Sequence, residues 1–269
     1  MNDIIKEKIR RMAGDRLSIS AMSRELKIGR RTIAKTIKKN NMSSYNPWTK
    51  EYVKYLSPVQ EEILRGTILG DDCLYIFKGC RYPKLLCYHS SSQEKYINFK
   101  FSVWKNLISY DQPKRHHRKT GGIRLSFATC NNECFIDIYK KIYINSNTKR
   151  ITREYLDQLT PISIAFWFQD DGSRCKNRGL ALHTNCFSLI EVEIICKWFL
   201  EKYGILCHPQ QRKENQWVVF FSNKTSEKFA EMIIPYVIPE LRYKLAGIYI
   251  KNPQRLYAVP FILKTEDIV

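Results

Sequence analysis

Two stretches of this chain share one layout: SPVQEEILRGTILGDDCL at residues 57–74 and TPISIAFWFQDDGS at residues 160–173. Each opens on a hydroxyl residue followed by proline, Ser57-Pro58 and Thr160-Pro161. A hydroxyl at the N-cap satisfies a free backbone N–H, and proline suits the first helical position because it has no N–H to satisfy, so both read as helix starts. Gln60, three residues after Ser57, completes a capping box. Each stretch then runs apolar for about two and a half helical turns. Each ends in an acidic pair, Asp71-Asp72 and Asp170-Asp171.

A helix C-terminus carries partial negative charge, so acids there are unfavourable. Packing the two apolar lengths together brings four carboxylates close. Like charges then repel and raise a pKa unless a cation lies between them. Carboxylate oxygens with room for water suit Mg²⁺, with Mn²⁺ as the alternative. Gly66 and Gly70 permit close backbone approach, whereas Ala165, Phe166 and Trp167 make the second helix bulkier. Asp-Gly at 171–172 alone reads equally as an ordinary turn. Two acidic ends, each after a proline-started apolar helix, favour a shared acid site.

LRGTILGDD and IAFWFQDDG resemble the paired motifs of the LAGLIDADG homing endonucleases, in their single-chain, two-motif, intron-encoded form. The resemblance continues through RGLALHTN, FSLIEVEIICKWFLEKYGI and IIPYVIPELRYKL, and spans about residues 52–250. It implies an α+β architecture: a pseudo-twofold duplicated αββαββα fold with two DNA-binding β-saddles. It also implies one catalytic, metal-binding acid at the eighth motif position, which is Asp71 in the first half and Asp171 in the second, 100 residues apart. Asp72 and Asp170 are left with a secondary role, in tuning the site or satisfying a helix end. The family carries a basic residue near each site. Tyr243-Lys244-Leu245 matches it in the second half and Lys149 in the first, with Arg150 open as the alternative.

Alternation and β-branched or aromatic content predict strands at 84–89, 123–129, 180–184, 206–212 and 216–222. Helices are predicted at 94–109, 135–143, 189–203 and 226–234. Basic and polar residues on the strands and their connections are the DNA-contact candidates. In the first half these are Arg81, Lys84, Lys114, Arg115, His116, His117, Arg118, Lys119 and Arg124. In the second they are Arg174, Lys176, Arg178, His183, Gln210, Arg212 and Lys213. The run 114–119 is the densest in charge and is expected to meet phosphates.

The chain has 269 residues, suited to one large domain with a small appendage or to two medium ones. A hydrophobic fraction of 44% excludes global disorder. Lys and Arg number 45 against 26 Asp and Glu, a formal charge of +19, which points to a polyanionic partner. Residues 1–45 hold 12 of the basic side chains against four acids, so a surplus of +8 lies there and +11 in the remainder. Nine cysteines, an odd number with no CxxC pair, read as reduced thiols, most of them small core hydrophobes. No apolar run reaches the length of a membrane span, and MNDIIKEK at the start lacks a signal-peptide core. The expected location is intracellular: the cytoplasm of a bacterium or phage-infected cell, or an organelle matrix.

The basic segment 1–45 reads as three short helices, near 3–12, 20–26 and 30–39. SISAMSRELKIGRRTIAKTIKK resembles a helix-turn-helix, with small Ser23 at the close approach and Ile33 and Ile37 inside. Arg30, Arg31, Thr32 and Lys35 at the start of the third helix would face the major groove. Lys27 stands where such a turn prefers glycine. Residues 46–57 read as a polar linker and entry to the core, punctuated by Pro47. The first half-domain is then 58–150 and the second 151–269.

These readings converge on a monomeric, site-specific double-stranded DNA endonuclease that hydrolyses phosphodiesters with a divalent metal. Two alternatives follow from the same resemblance. One is an intron RNA-splicing maturase. The other is a DNA-binding transcription regulator without cleavage. Retention of both Asp71 and Asp171 favours the nuclease.

Overall fold

The computed structural model describes residues 3–14, 19–40, 53–119, 121–145, 148–175, 179–246 and 260–263. They fall into two compact units, 1–53 and 54–269. The first unit holds three helices, α1 (Asp3–Gly14), α2 (Ile19–Leu26) and α3 (Arg30–Lys39). Ile9, Met12, Met22, Ile33 and Ile37 form its core. The Ser23 hydroxyl donates to the Ile28 carbonyl at 2.7 Å and ties α2 to the turn. Lys27 sits in that turn at φ 54°, the left-handed region that glycine enters without strain.

The second unit runs α4 (Pro58–Thr67), β1 (Cys73–Tyr75), β2 (Lys84–Ser90), α5 (Glu94–Val103), β3 (Lys114–His117), β4 (Ile123–Ala128) and α6 (Ile136–Ile142). A small hairpin, β5 (Tyr143–Asn145) and β6 (Thr148–Lys149), and α7 (Arg153–Asp157) follow. The order then repeats as α8 (Pro161–Asp171), β7 (Gly172–Cys175), β8 (Gly179–Leu182), α9 (Leu189–Tyr203), β9 (His208–Lys213), β10 (Gln216–Ser222) and α10 (Asn223–Ile233). Both passes are αββαββα. Both build an antiparallel four-stranded sheet with the same connectivity, β1-β2-β4-β3 and β7-β8-β10-β9.

The two motif helices, α4 and α8, pack directly on one another. A Cβ on Gly66 would overlap the Ser163 carbonyl, and one on Gly70 would lie 2.5 Å from the Asp170 Cβ. Only residues without side chains fit there, so backbone meets backbone. The Ser57 and Gln60 capping box forms in full. Thr160 departs from the expected pattern. Its hydroxyl makes no cap bond but donates to Glu62 on α4, which also accepts from Ser163. The seam between the helices takes the hydroxyl that a solitary helix would use on itself.

The helices also end differently. Helix α8 is regular through Asp171, whereas α4 stops at Thr67 and tightens. Leu69 N–H bonds to Gly66 O at 3.1 Å and Gly70 N–H to Thr67 O at 3.1 Å. Such shorter-range bonds close the last turn and swing Asp71 outward.

Candidate active site

The four acids separate into an outer and an inner pair. Asp71 is exposed, its side chain 43% accessible, and Asp171 is half-buried. Asp72 and Asp170 are buried. Among the described residues no donor hydrogen-bonds the Asp71 or Asp171 carboxylate; the nearest partner of Asp71 is His89 Nδ1, at 3.7 Å. Burial, followed by the charge of Asp170, pushes the Asp71 pKa up to about 6. Burial, followed by the charges of Asp71 and Asp170, pushes Asp171 up to about 8. Partly buried carboxylates without donors are a poor arrangement for an empty site and a good one for a cation.

The inner pair already has its cation. Lys100 of α5, fully buried, donates to Asp170 Oδ1 at 2.8 Å and to Asp72 Oδ2 at 3.0 Å. Burial alone would lower the lysine pKa, but the two carboxylates outweigh it and hold Lys100 above its ordinary range. Asp170 is likewise held below the usual carboxylate range, because its burial is outweighed by the Lys100 charge and by hydrogen bonds from Lys100 and the Thr67 hydroxyl. Asp71, His89 and Asp170 also bring donor atoms within 4.8 Å of one another. That cluster is a weak metal candidate, since the Lys100 ammonium already lies 2.8 Å from Asp170 and 3.3 Å from His89 Nε2. A second ion there would face a fixed positive charge.

The two candidate lysines sit alike. Lys149 on β6 donates to Gly70 O at 3.1 Å and Asp72 O at 3.0 Å. Lys244, in the helical turn Pro239–Leu245, donates to Gln169 O at 2.6 Å and Asp170 O at 3.3 Å. Both satisfy carbonyls at the ends of the motif segments, where a positive charge is favourable. It is Lys149, and not its exposed neighbour Arg150, that reaches the motif. Gln169, fully buried, accepts from Ile238 N–H at 2.9 Å and donates to Tyr236 O at 3.2 Å, which anchors the segment carrying Lys244.

Residues paired in register share a sheet face. In the first sheet Tyr88, Ser126 and Lys114 align, as do Ser90, Arg124 and His116. Lys84 has the parity of Tyr88 and joins this face. Arg124 stacks on Tyr88 with 4.9 Å to the ring centroid. Arg115 does not join them. It pairs with Leu125, on the helix side of the sheet, and bonds both Glu94 carboxylate oxygens at 2.9 and 3.0 Å. Arg81, Arg118 and Lys119 are exposed on connections. In the second sheet Gln210 shares a face with Val218, and the Ser173 hydroxyl meets His183 Nε2 at 2.7 Å. Arg174, His183, Arg212 and Lys213 line one hollow of about 710 Å³. Lys176 and Arg178 lie outside the described residues. In the first unit Arg30, Arg31, Thr32 and Lys35 are all exposed on α3.

The profile of the LAGLIDADG DNA endonuclease family matches residues 61–229, and the chain belongs to that family. It is 31% identical over 210 residues to the probable intron-encoded endonuclease 1 of Wickerhamomyces canadensis, covering 73% of this chain and 89% of that one. It is 28% identical over 208 residues to the cytochrome b mRNA maturase bI2 of Debaryomyces hansenii, covering 73% and 78%. Its structure is similar to that of the homing endonuclease I-WcaI bound to its DNA recognition sequence, with a TM-score of 0.65, 28% identity and coverage of 79% of this chain and 92% of the other. Among the described residues, no helix is long and apolar enough to cross a membrane.

Proposed function

We propose that the protein acts as a monomer that binds one long, asymmetric DNA site and cuts both strands. Asp71 and Asp171 hold the metal, and Lys149 and Lys244 flank it. The observation that carries this reading is the contrast between the two acid pairs. The inner pair shares the Lys100 ammonium, while the outer pair has no donor among the described residues and raised pKa values. The likeness to a homing endonuclease bound to its recognition sequence supports double-stranded DNA as the substrate.

The donor set is oxygen. The nearby Cys73 and Cys186 thiols are pushed up by burial and stay protonated, so they offer no thiolate, and Mg²⁺ fits better than a softer ion. A divalent cation held by the two carboxylates would supply activation of the attacking water and neutralisation of phosphate charge. Each lysine ammonium has three N–H groups and spends two on carbonyls. The third N–H of each is left to hold a water or a phosphate oxygen. The aligned faces carrying Lys84, Lys114 and Arg124 in one sheet, and His183, Gln210 and Arg212 in the other, lie against the groove. The helices of residues 1–45 act as a helix-turn-helix that adds contacts at one flank.

The deciding experiment is selection of cut sites from a randomised duplex library in Mg²⁺, with wild type and Asp171→Asn. A defined double-strand cut by wild type, absent from a variant that still binds, is the expected result. Tight binding with no cutting by wild type would refute the reading. The similarity to a cytochrome b mRNA maturase favours one second reading, intron RNA binding in splicing. An in vitro splicing assay, with a group I intron RNA selected by binding to the purified protein, tests it.

A further inference from the structure

We propose that Lys100 is a positioning residue for strand cleavage, an internal cation that ties the two motif ends together. This rests on the endonuclease reading above and deepens it. The ammonium contacts Thr67 Oγ1 at 2.5 Å and Asp72 Oδ2 at 3.0 Å, both from the first motif. It contacts Asp170 at 2.8 and 3.1 Å, from the second. Thr67 repeats the bridge on its own account, with its hydroxyl 2.9 Å from Asp72 Oδ2 and 2.6 Å from Asp170 Oδ2. Tyr96 closes the set by donating to Asp170 Oδ1 at 2.8 Å. Asp72 and Asp170 directly adjoin Asp71 and Asp171 in sequence, so the place of the inner carboxylates fixes the outer ones.

His89 extends the arrangement. An ammonium has no lone pair, so the His89 Nε2 lying 3.3 Å from Lys100 must accept, and the ring proton is on Nδ1. That N–H donates to Gln93 Oε1 at 3.1 Å, and the Asp71 carboxylate, 3.7 Å away, lies beyond its hydrogen-bond reach. Among the described residues the second half has no counterpart. Asp72 corresponds there to Gly172, whose Cβ would run into the Phe168 ring. By register, His89 corresponds to Thr184, whose hydroxyl is spent on the Trp217 carbonyl. One buried cation therefore sets both motif ends from one side. Such a group adds little net stability over a well-packed apolar one, but it fixes geometry, and misplacement of a reacting group by about 1 Å costs on the order of 100-fold in rate.

Lys100→Met alone strands two buried carboxylates and is expected to loosen the fold. The test is therefore the variant Lys100→Met/Asp72→Asn/Asp170→Asn, the balanced variant in which no buried charge of the network is left unpaired, with Lys100→Arg beside it. Melting temperature, duplex affinity, the single-turnover rate in Mg²⁺, and Mn²⁺ affinity of the protein–duplex complex by water-proton relaxation are measured. The duplex is the one wild type selects from a randomised library. The expected outcome for the balanced variant is a folded protein with duplex affinity within about threefold of wild type and cleavage at least about 100-fold slower. Its Mn²⁺ binding is expected to be at least about tenfold weaker. Lys100→Arg, which keeps the charge and loses the compact head, is expected to fold and to cleave at an intermediate rate. If either folded variant cleaves and binds Mn²⁺ like wild type, the network only stabilises and the proposal is overturned. If the balanced variant does not fold, Lys100→Arg decides alone. Failure of wild type itself to cut would sink the nuclease reading, while the Mn²⁺ comparison would still report on positioning.

Discussion

Lys149 and Lys244 hold the same place at the two motifs: each donates to the carbonyl of the residue just before the motif aspartate, Gly70 O at 3.1 Å and Asp170 O at 3.3 Å. They reach it from unrelated elements, a short hairpin and a helical turn after the last long helix. Burial lowers the Lys244 pKa, with the surrounding aspartates opposing the shift. Lys149→Met and Lys244→Met are each expected to slow cleavage by about 10- to 100-fold while leaving duplex affinity nearly unchanged. Plasmid cleavage followed over time checks this. Accumulation of nicked circles is the expected signature of one impaired site. Equal loss of binding and cleavage would show that the lysines serve the interface instead.

Replacing the metal-facing acids tests the outer pair. Asp71→Asn and Asp171→Asn each remove an oxygen ligand, and Asp71→Asn also relieves the repulsion that raises the Asp171 pKa. Each is expected to reduce double-strand cleavage by more than about 100-fold, with binding in metal-free buffer retained. The two variants should also melt no lower than wild type without metal. A large drop in melting temperature would mean these carboxylates are structural.

The raised acids give stability a pH slope. Folded Asp171 keeps its proton to about pH 8 and Asp71 to about pH 6, whereas an ordinary aspartate loses it near 3.8. Between those limits the folded state binds more protons than the unfolded one, so stability falls as pH rises. Asp71 is partly exposed and solvent screens its share, so Asp171 dominates the upper part of the window. The melting temperature of the metal-free protein is expected to decline from pH 7 to 8.5, above the range where the lowered His89 and His183 pKa values act in the opposite sense. Asp171→Asn should flatten that decline, and Mg²⁺ should stabilise more at pH 8 than at pH 6. A wild-type melting temperature that climbs between pH 7 and 8.5 would contradict these protonation states.

The glycine seam is expected to be intolerant. A methyl at Gly66 has no space against the Ser163 backbone, and neither flexible side chain nor solvent can yield there. Gly66→Ala should destabilise by about 3 kcal/mol or more, measured by denaturant unfolding. Gly70→Ala meets the Asp170 side chain, so its larger effect should fall on cleavage. This seam was legible in the sequence because two glycines stood at helix-contact spacing in an apolar run. The αββαββα order came from the family resemblance, while the periodic signal by itself marked β2, β4, β8, β9 and β10. Strands β1, β3 and β7, at three, four and four residues, are too short to show a period.

Lys100 and His89 did leave a trace that charge counting obscured. On α5 the buried positions are Tyr96, Ile97, Lys100, Phe101 and Val103, so the lysine stands in the apolar stripe. On β2 the buried positions Leu85, Cys87 and His89 alternate, so the histidine has core parity. Arg115 left no such trace. Lys-Arg-His-His carries no apolar marker, and only pairing with Leu125 shows which side each residue takes.

The N-terminal unit offers the last test. Its core closes on itself around Ile9, Met22 and Ile33, and residues 54–269 form a compact unit without it. Deleting residues 1–45 should therefore leave a folded nuclease that binds more weakly and protects fewer base pairs. Arg30, Arg31 and Lys35 are exposed on α3, and each phosphate contact contributes roughly 0.9 to the slope of log affinity against log salt. Loss of two or three such contacts should lower that slope by about 2 to 3. Substituting the three basic residues by alanine in the full chain should reproduce most of the effect without removing a helix. The Lys27 turn supplies a control, since Lys27→Gly relieves its left-handed backbone and should keep binding intact. An unchanged footprint and salt slope after deletion would refute a DNA-reading role for this unit, whatever the fate of cleavage.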